Sequence, residues 1–332
     1  IVPFALSPLI SWPGKFRMSL DFFLPKKKDQ ADETLESFVL RRLGREALDK
    51  IAEPLIGGIH GGDPETMSLK ASFPRFLEME KNYGSLIRAM LAARRKAGRK
   101  PPSALEGRPQ SYFMSFKNGM GELTEALEKK LSGRIIKGRA VLGITFLDRG
   151  FQVRLEGGET LAADGVILAV PAPEAATLLE NLAPEAAGIL RLTPMASSAT
   201  FTLAYKRDQI PKGLDSFGFL VPYAEQRKIN AVTFSSVKWN YRVIDPAYVL
   251  LRAFIGGAKN SRLAEASEEE MTLWVKRELR LILGIAGEPE RCWIHRWIGA
   301  RPQYTMGHLD RMQEIERILK KTPGLVLAGG SY

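Results

Sequence analysis

The stretch Leu55-Ile56-Gly57-Gly58-Ile59-His60-Gly61-Gly62-Asp63-Pro64-Glu65-Thr66-Met67-Ser68-Leu69 decides how the rest of the chain is read. Four glycines in six positions, followed by Asp-Pro, speak against a helix interior. Glycine populates positive φ freely and lets another backbone or a flat ligand come close. Helical patterns run up to this stretch and away from it, so it reads as a shaped loop held between helices. Gly/Pro clusters also mark plain helix–helix connections, and both readings stand at this level.

Outward from that loop, the chain has 332 residues, enough for a large core and two or three domains. Apolar residues make up 45% and charged residues 26%, the profile of a soluble globular protein. Lys and Arg number 48 against 37 acids, a net charge of +11 that suits nucleic acid, acidic lipid headgroups or a small polycarboxylate. The charge does not choose among them. The lone Cys292 excludes internal disulfides and thiol-only metal sites, and its default role is a small core residue. No apolar run reaches the ~18 residues of a membrane span. The opening Ile1 to Trp12 carries Pro3 and Pro8 and has neither a basic leader nor a cleavage site, so it is not read as a signal peptide. Without an initiator Met, the chain is expected to be an interior piece of a longer protein.

Upstream of the loop, Lys26-Lys27-Lys28 reads as a solvated turn or a membrane-surface contact. Asp32 is the expected N-cap of a helix bearing Leu35, Phe38, Val39 and Leu43, broken at Gly44. A second amphipathic helix with Ala47, Leu48 and Ile51 is expected to stop around Pro54. Downstream, Ser68 caps a segment through Phe76, Leu77 and Met79, and another runs from Ser85 through Ala93. It ends in the basic, Pro-terminated run Arg94 to Pro102. Past Gly119 and Gly121 the pattern turns to strands. Phe151, Val153 and Leu155 alternate ahead of the hairpin signal Gly157-Gly158. Gly165 to Pro171 is a continuous apolar run, expected to be a strand buried on both faces. Ala199 to Tyr205, Phe217 to Val221, Ile229 to Ser235 and Tyr248 to Phe254 read as a mostly antiparallel sheet. Ser267-Glu268-Glu269-Glu270 is a capping box for a helix with Met271, Trp274, Val275, Leu279 and Ile282 inward. A last helix with Met312, Ile315 and Leu319 precedes Pro323-Gly324 and the strand Leu325-Val326-Leu327-Ala328-Gly329-Gly330.

Catalytic signatures of the acid–base or metal kind are thin. There is no Gly-x-Gly-x-x-Gly between strand and helix, no Walker loop, and no His/Cys cluster with metal spacing. His60, His295 and His308 are scattered and read as satisfied or solvent-facing. A cofactor is therefore expected to carry the hard step of any reaction.

Three stretches, taken in order, resemble the protoporphyrinogen and coproporphyrinogen III oxidase branch of the FAD-dependent, amine-oxidase-like superfamily. The glycine loop is similar to that branch's Gly-x-Tyr-Ala-Gly-Asp-Pro-x-x-Leu-Ser. Strand Ala140-Val141-Leu142 with Asp164-Gly165-Val166-Ile167-Leu168-Ala169-Val170-Pro171 is similar to a segment of the wider superfamily. Pro302-Gln303-Tyr304-Thr305-Met306-Gly307-His308 and Ala328-Gly329-Gly330-Ser331-Tyr332 match motifs of the branch itself. Gly14-Lys15, Asp21-Phe22, Leu24-Pro25 and Arg42-Leu43-Gly44 look closest to the Gram-positive bacterial type.

The resemblance implies a mixed α/β fold: a split Rossmann-like FAD domain, a mostly antiparallel substrate domain and a helical domain. It places the lead-in and helical domain at 1–110 and a second FAD segment at 111–173. The substrate sheet falls at 174–320 and the start of a final FAD segment at 321–332. The N-terminal dinucleotide fingerprint and the family's Gly-rich C-terminal end are missing from the sequence. An Arg that holds a propionate in some members aligns near Val2, so no such anchor carries over. By resemblance Gly58 lies against the substrate, while Val141, Trp297, Gly330 and Ser331 contact FAD. The implied activity is stepwise oxidation of a porphyrinogen in heme biosynthesis, with oxygen as acceptor and hydrogen peroxide released. A cytoplasmic location, a peripheral contact with the inner face of the membrane and a downstream heme-pathway partner are implied, and nucleic acid is not. Two alternatives stay open: another flavin enzyme such as an amine oxidase or carotenoid desaturase, and a non-enzymatic basic scaffold.

Overall fold

The computed structural model describes residues 4, 6–29, 31–97, 114–131, 133, 135–211 and 213–332. Val2 and positions 98–102 of the basic run lie outside the described residues. The chain divides into two compact units. The first comprises Ile1–Arg95, Leu192–Met312 and Ser331; the second comprises Lys96–Arg191, Gln313–Gly330 and Tyr332. Among the described residues the strands are β1 (Val141–Phe146), β2 (Phe151–Leu155), β3 (Thr160–Ala163), β4 (Val166–Leu168), β5 (Met195–Lys206), β6 (Gly218–Leu220), β7 (Ala231–Phe234), β8 (Tyr248–Gly256), β9 (Arg291–Pro302) and β10 (Leu325–Leu327).

In the first unit, the helix Leu35–Arg42 buries Leu35, Phe38 and Val39, as its spacing predicts. Its N-cap is Thr34, whose hydroxyl accepts from the Ser37 amide, rather than Asp32. Thr34 and Ser68 form a β-bridge that draws Asp32 to the neighbouring segment. There its carboxylate accepts from the Ser68 hydroxyl at 2.5 Å and the Lys70 amide at 3.1 Å.

Arg42 organises this helical region. Its side chain and that of Asp21 are both fully buried. Arg42 Nε donates to Asp21 Oδ1 at 2.6 Å, and its Nη2 donates to the carbonyls of Asp21 at 2.9 Å and Gly84 at 2.7 Å. Asp21 Oδ2 in turn accepts from the Ser85 hydroxyl at 2.6 Å and the Ile87 amide at 3.0 Å. One guanidinium thus ties the lead-in to the helices Leu35–Arg42, Pro74–Tyr83 and Leu86–Ala97. A buried ion pair stabilises only when its remaining donors and acceptors are met, as they are here.

The glycine stretch departs from its sequence reading. Helical turns continue past Pro54 through Glu53–Leu55 and a wide π-type turn, Ile56–His60, ending at Gly61 with φ +61°. Gly57 and Gly58 are therefore inside a helical turn, and Pro54 sits within a continuous helical run, directly after the wide turn Leu48–Ala52. Propensity gave way to tertiary packing at Gly58, where the turn lies against a neighbour that a Cβ would press on.

That neighbour is the sheet β6-β7-β8-β5-β9, antiparallel throughout. Its alternation sorts the faces. Phe201, Leu203, Leu251 and Ile255 point to a core closed by Met271, Val275 and Leu279 of the helix Glu268–Leu283. Ser267 and Glu270 form the expected capping box, and Gly284 ends the helix at φ +74°. Thr200, Thr202, Arg252 and Phe254 occupy the opposite face. Strand β9 lacks clear alternation because it is an edge strand, exposed along most of its length. Cys292 sits on it and is exposed rather than a core residue.

In the second unit, β1-β2-β3 form an antiparallel meander with Gly157 and Gly158 in its turn at φ +89° and +88°. Strands β4 and β10 pair in parallel. The run around β4 is not buried on both faces: Ile167 is 67% exposed and Val326 of β10 51% exposed. Among the described residues this ladder has two strands, and one of its faces is uncovered.

Arg42→Ala is expected to cost about 3–5 kcal/mol, because it strands the Asp21 carboxylate in the interior. The double variant Arg42→Met with Asp21→Leu should lose less than Arg42→Ala. Urea unfolding of the three proteins checks this ordering.

Candidate functional site

A groove of about 400 Å³ opens between the Ile56–His60 turn and the open face of the sheet. One wall is backbone, at Gly57, Gly58 and Gly61; the other carries Thr200, Phe254 and Trp297, with Arg301 at its edge. A Cβ on Gly58 would lie 2.6 Å from Leu220 Cδ2, so this turn and strand β6 approach as closely as glycine permits. Gly58 itself does not have positive φ, so its requirement is space and not conformation.

The conformational requirement falls on Gly61 and Gly257. Gly257 has φ +86°, and a Cβ there would lie 3.3 Å from Gly61 Cα. The Ala258 amide donates to the Gly61 carbonyl at 2.9 Å, pinning the end of the turn to the end of β8. Asn230 Nδ2 donates to the Gly256 carbonyl at 2.5 Å and holds the same corner. Across the groove, the β5–β9 register slips between Ala196 and Ser198, and the Gly299 amide donates to Ser197 Oγ at 3.0 Å within that bulge. Bulges re-aim side chains, and this one sets Trp297 and Arg301 along the groove.

Among the described residues, Arg301 is the one charged side chain in the groove's lining. His60 stands at the end of the turn with its ring 5.2 Å from that of Phe73. Burial, helped by the charge of Arg301, keeps its imidazole below the ordinary pKa and therefore neutral at pH 7. Behind the turn is a smaller chamber of about 30 Å³ bordered by Glu53, Tyr223 and Lys259. Burial raises the Glu53 pKa although the Tyr223 amide donates to its Oε2 at 2.9 Å. Lys259 is engaged by Glu65 at 2.5 Å and Asp63 at 3.5 Å and lies over the Tyr223 ring. His308 is buried, stacked on Tyr304 at 4.4 Å, and burial then Arg311 depress its pKa.

Of the residues singled out from sequence, the structure brings Gly58 and Trp297 to the same groove. Val141 opens β1 opposite Leu155 and is 40% exposed. Gly330 follows β10, and Ser331 is buried. None of these three lines the groove. Sequence reasoning missed Phe254, Asn230 and Arg301. Arg301 directly precedes the motif Pro302 to His308 but carried no signal of its own, and Asn230 becomes visible only once the strand ends meet.

Gly257→Ala is expected to destabilise the protein by about 1–3 kcal/mol, the cost of a strained non-glycine backbone. Gly213→Ala, where φ is not positive and a Cβ would meet nothing within 4 Å, should be close to neutral. Chemical denaturation of both variants checks the contrast.

With this geometry in place, residues 2–331 match the family model for flavin containing amine oxidoreductases. The coproporphyrinogen III oxidase of Bacillus subtilis is 31% identical over 334 residues, covering 100% of this chain and 70% of that protein. The coproporphyrinogen III oxidase of Propionibacterium freudenreichii is 30% identical, covering 99% of this chain and 66% of its relative. A solved structure from Exiguobacterium sp. 255-15, provisionally assigned as a protoporphyrinogen oxidase, superposes with a TM-score of 0.83 at 30% identity. It covers 99% of this chain and 69% of its own. The sheet, the glycine turn and the motifs around them thus belong to one lineage: this chain is a member of the flavin containing amine oxidoreductase family.

Proposed function

We propose that this flavin oxidoreductase oxidises a porphyrinogen to its porphyrin in heme biosynthesis, with coproporphyrinogen III preferred over protoporphyrinogen IX and oxygen as the final acceptor. The observation that carries the reading is the groove itself. One wall is bare glycine backbone, the other aromatic and hydroxyl-bearing, and among the described residues no carboxylate or imidazole lines it. Such a slot suits a flat, largely apolar ring system whose oxidation needs positioning and not an acid–base pair. The coproporphyrinogen III oxidases among its relatives support the same substrate class.

The second unit has a feature that fits FAD. Gly329, at φ +124°, and Gly330 follow the carboxyl end of β10, and a Cβ on either would meet nothing within 4 Å. Nucleotides bind beyond the carboxyl ends of parallel strands, where bare backbone can approach a pyrophosphate. When bound, FAD supplies the acceptor for hydride leaving the substrate. Val141, Gly330, Ser331 and Trp297 are the residues proposed to contact it. Gly57 and Gly58 keep the slot open to a planar ring, Phe254 and Trp297 exclude water from it, and Arg301 offers a positive charge to an acidic substituent.

No described helix is long and apolar enough to cross a membrane. A peripheral contact with anionic lipid belongs to the same proposal. Its support is Trp12, Phe16 and Phe23, at 71%, 68% and 78% exposure, near Lys26, Lys27 and Lys28.

Growth of porphyrin fluorescence under air, with the full-length flavin-loaded protein, is expected to be faster with coproporphyrinogen III, which carries more carboxylates. A tenfold preference for protoporphyrinogen IX would reject that assignment. Gly58→Val should lose most of its turnover, since its side chain would press on Leu220 and lie close to the Asn230 carbonyl and Ala231, pushing the turn off the sheet and changing the slot. Leu220→Ala in the same chain should restore part of it. Unchanged steady-state kinetics in Gly58→Val would mean that the turn is only a connector.

A further inference from the structure

The groove and the small chamber behind the turn are back to back. Gly57, Gly58, Gly61, Gly257 and Asn230 line both, so glycine backbone and one polar side chain stand between the two spaces. Asn230 is fixed in that position. Its amide donates to the Phe254 carbonyl at 2.8 Å, and its carbonyl accepts from the Val221 amide at 2.8 Å. Its side chain donates to the Gly256 carbonyl at 2.5 Å. The chamber, at about 30 Å³, exceeds the roughly 10–15 Å³ that a water needs, and Glu53, Asn230 and Lys259 give it polar walls.

Glu53 is the group on the chamber side that is able to take a proton. Its Oε1 lies 3.2 Å from where a Cβ on Gly57 would stand, so the carboxyl rests on the back of the groove's glycine wall. Its Oε2 accepts from the Tyr223 amide at 2.9 Å. The residue is only partly buried, which leaves it a path to solvent. Burial raises its pKa against the pull of the Tyr223 amide; Lys259 lowers it, while Asp63 and Asp49 raise it. Lys259 is itself paired with Asp63 and Glu65. A carboxyl poised in this way accepts protons better than an ordinary surface carboxylate. His60, at the end of the turn, lines neither space.

The porphyrinogen reading above, on which this inference rests, gives that carboxyl a task. Each two-electron step breaks one C–H bond at a bridging carbon and one N–H bond at a pyrrole. The hydride leaves to the flavin, and the N–H electron pair moves into the new carbon–nitrogen double bond. The proton is left over, and among the described residues the groove's lining holds no carboxylate or imidazole to take it. We propose that the chamber is a proton exit, in which Glu53 receives the pyrrole proton through water beside Asn230 and passes it to solvent. Positioning serves the hydride, and the space behind the glycine wall serves the proton.

The test follows flavin bleaching by coproporphyrinogen III without air, in the full-length flavin-loaded protein, from neutral to acid pH. The wild-type rate is expected to fall as Glu53 becomes protonated, with a midpoint above the ordinary carboxylate range. Glu53→Gln keeps an oxygen for the Tyr223 amide but cannot take a proton. Its rate at neutral pH should drop about tenfold, and its acid limb should vanish. Glu53→Asp should recover part of the rate and keep an acid limb with a shifted midpoint, and it serves alone if Glu53→Gln does not fold. His60→Gln should leave the limb in place. Infrared titration gives a readout apart from turnover: the carboxyl band missing from the variant should titrate in the wild type at the midpoint of the rate. An acid limb that persists in Glu53→Gln, or a midpoint unmoved in Glu53→Asp, overturns the relay and leaves the groove reading intact. So does a Glu53→Gln rate within twofold of wild type, a limb lost in His60→Gln, or an infrared midpoint that differs from that of the rate. A wild type whose flavin is bleached by neither coproporphyrinogen III nor protoporphyrinogen IX removes the porphyrinogen reading and the relay together.

Discussion

The groove depends on the contact between two glycine backbones. Gly61 ends the wide helical turn and Gly257 ends β8, and both have positive φ. Only there can the Ala258 amide reach the Gly61 carbonyl at 2.9 Å without a side chain intervening. Gly62 beside it packs on Met67, where a Cβ would lie 2.1 Å from the methionine methyl. The turn is thus fixed to the sheet on one side and to the helical core on the other. The width of the slot follows from that attachment.

The protein uses its arginines in two ways. Arg42 is buried with Asp21 and several carbonyls, and the pair holds four segments in place. Arg301 instead lines the groove on the open sheet face. The net charge of +11 is compatible with either arrangement.

The sequence by itself determined the elements whose signals are local. The capping box at Ser267, the alternation of β5 and β8 and the glycine hairpin at 157–158 each report on neighbours a few residues away, and each is found in the structure. The order of the motifs was also enough to identify the family. What only the tertiary structure decided was everything set by distant neighbours. Asp32 left its expected cap because Thr34 bridges to Ser68. Gly58 stayed in a helical turn where the sheet packs against it, despite the intrinsic cost of about 1 kcal/mol per helical glycine. Asn230, Phe254 and Arg301 came to line one groove only through strand register and one bulge. Propensity is a property of a few consecutive residues, whereas a binding site is a property of chain segments brought together from across the sequence.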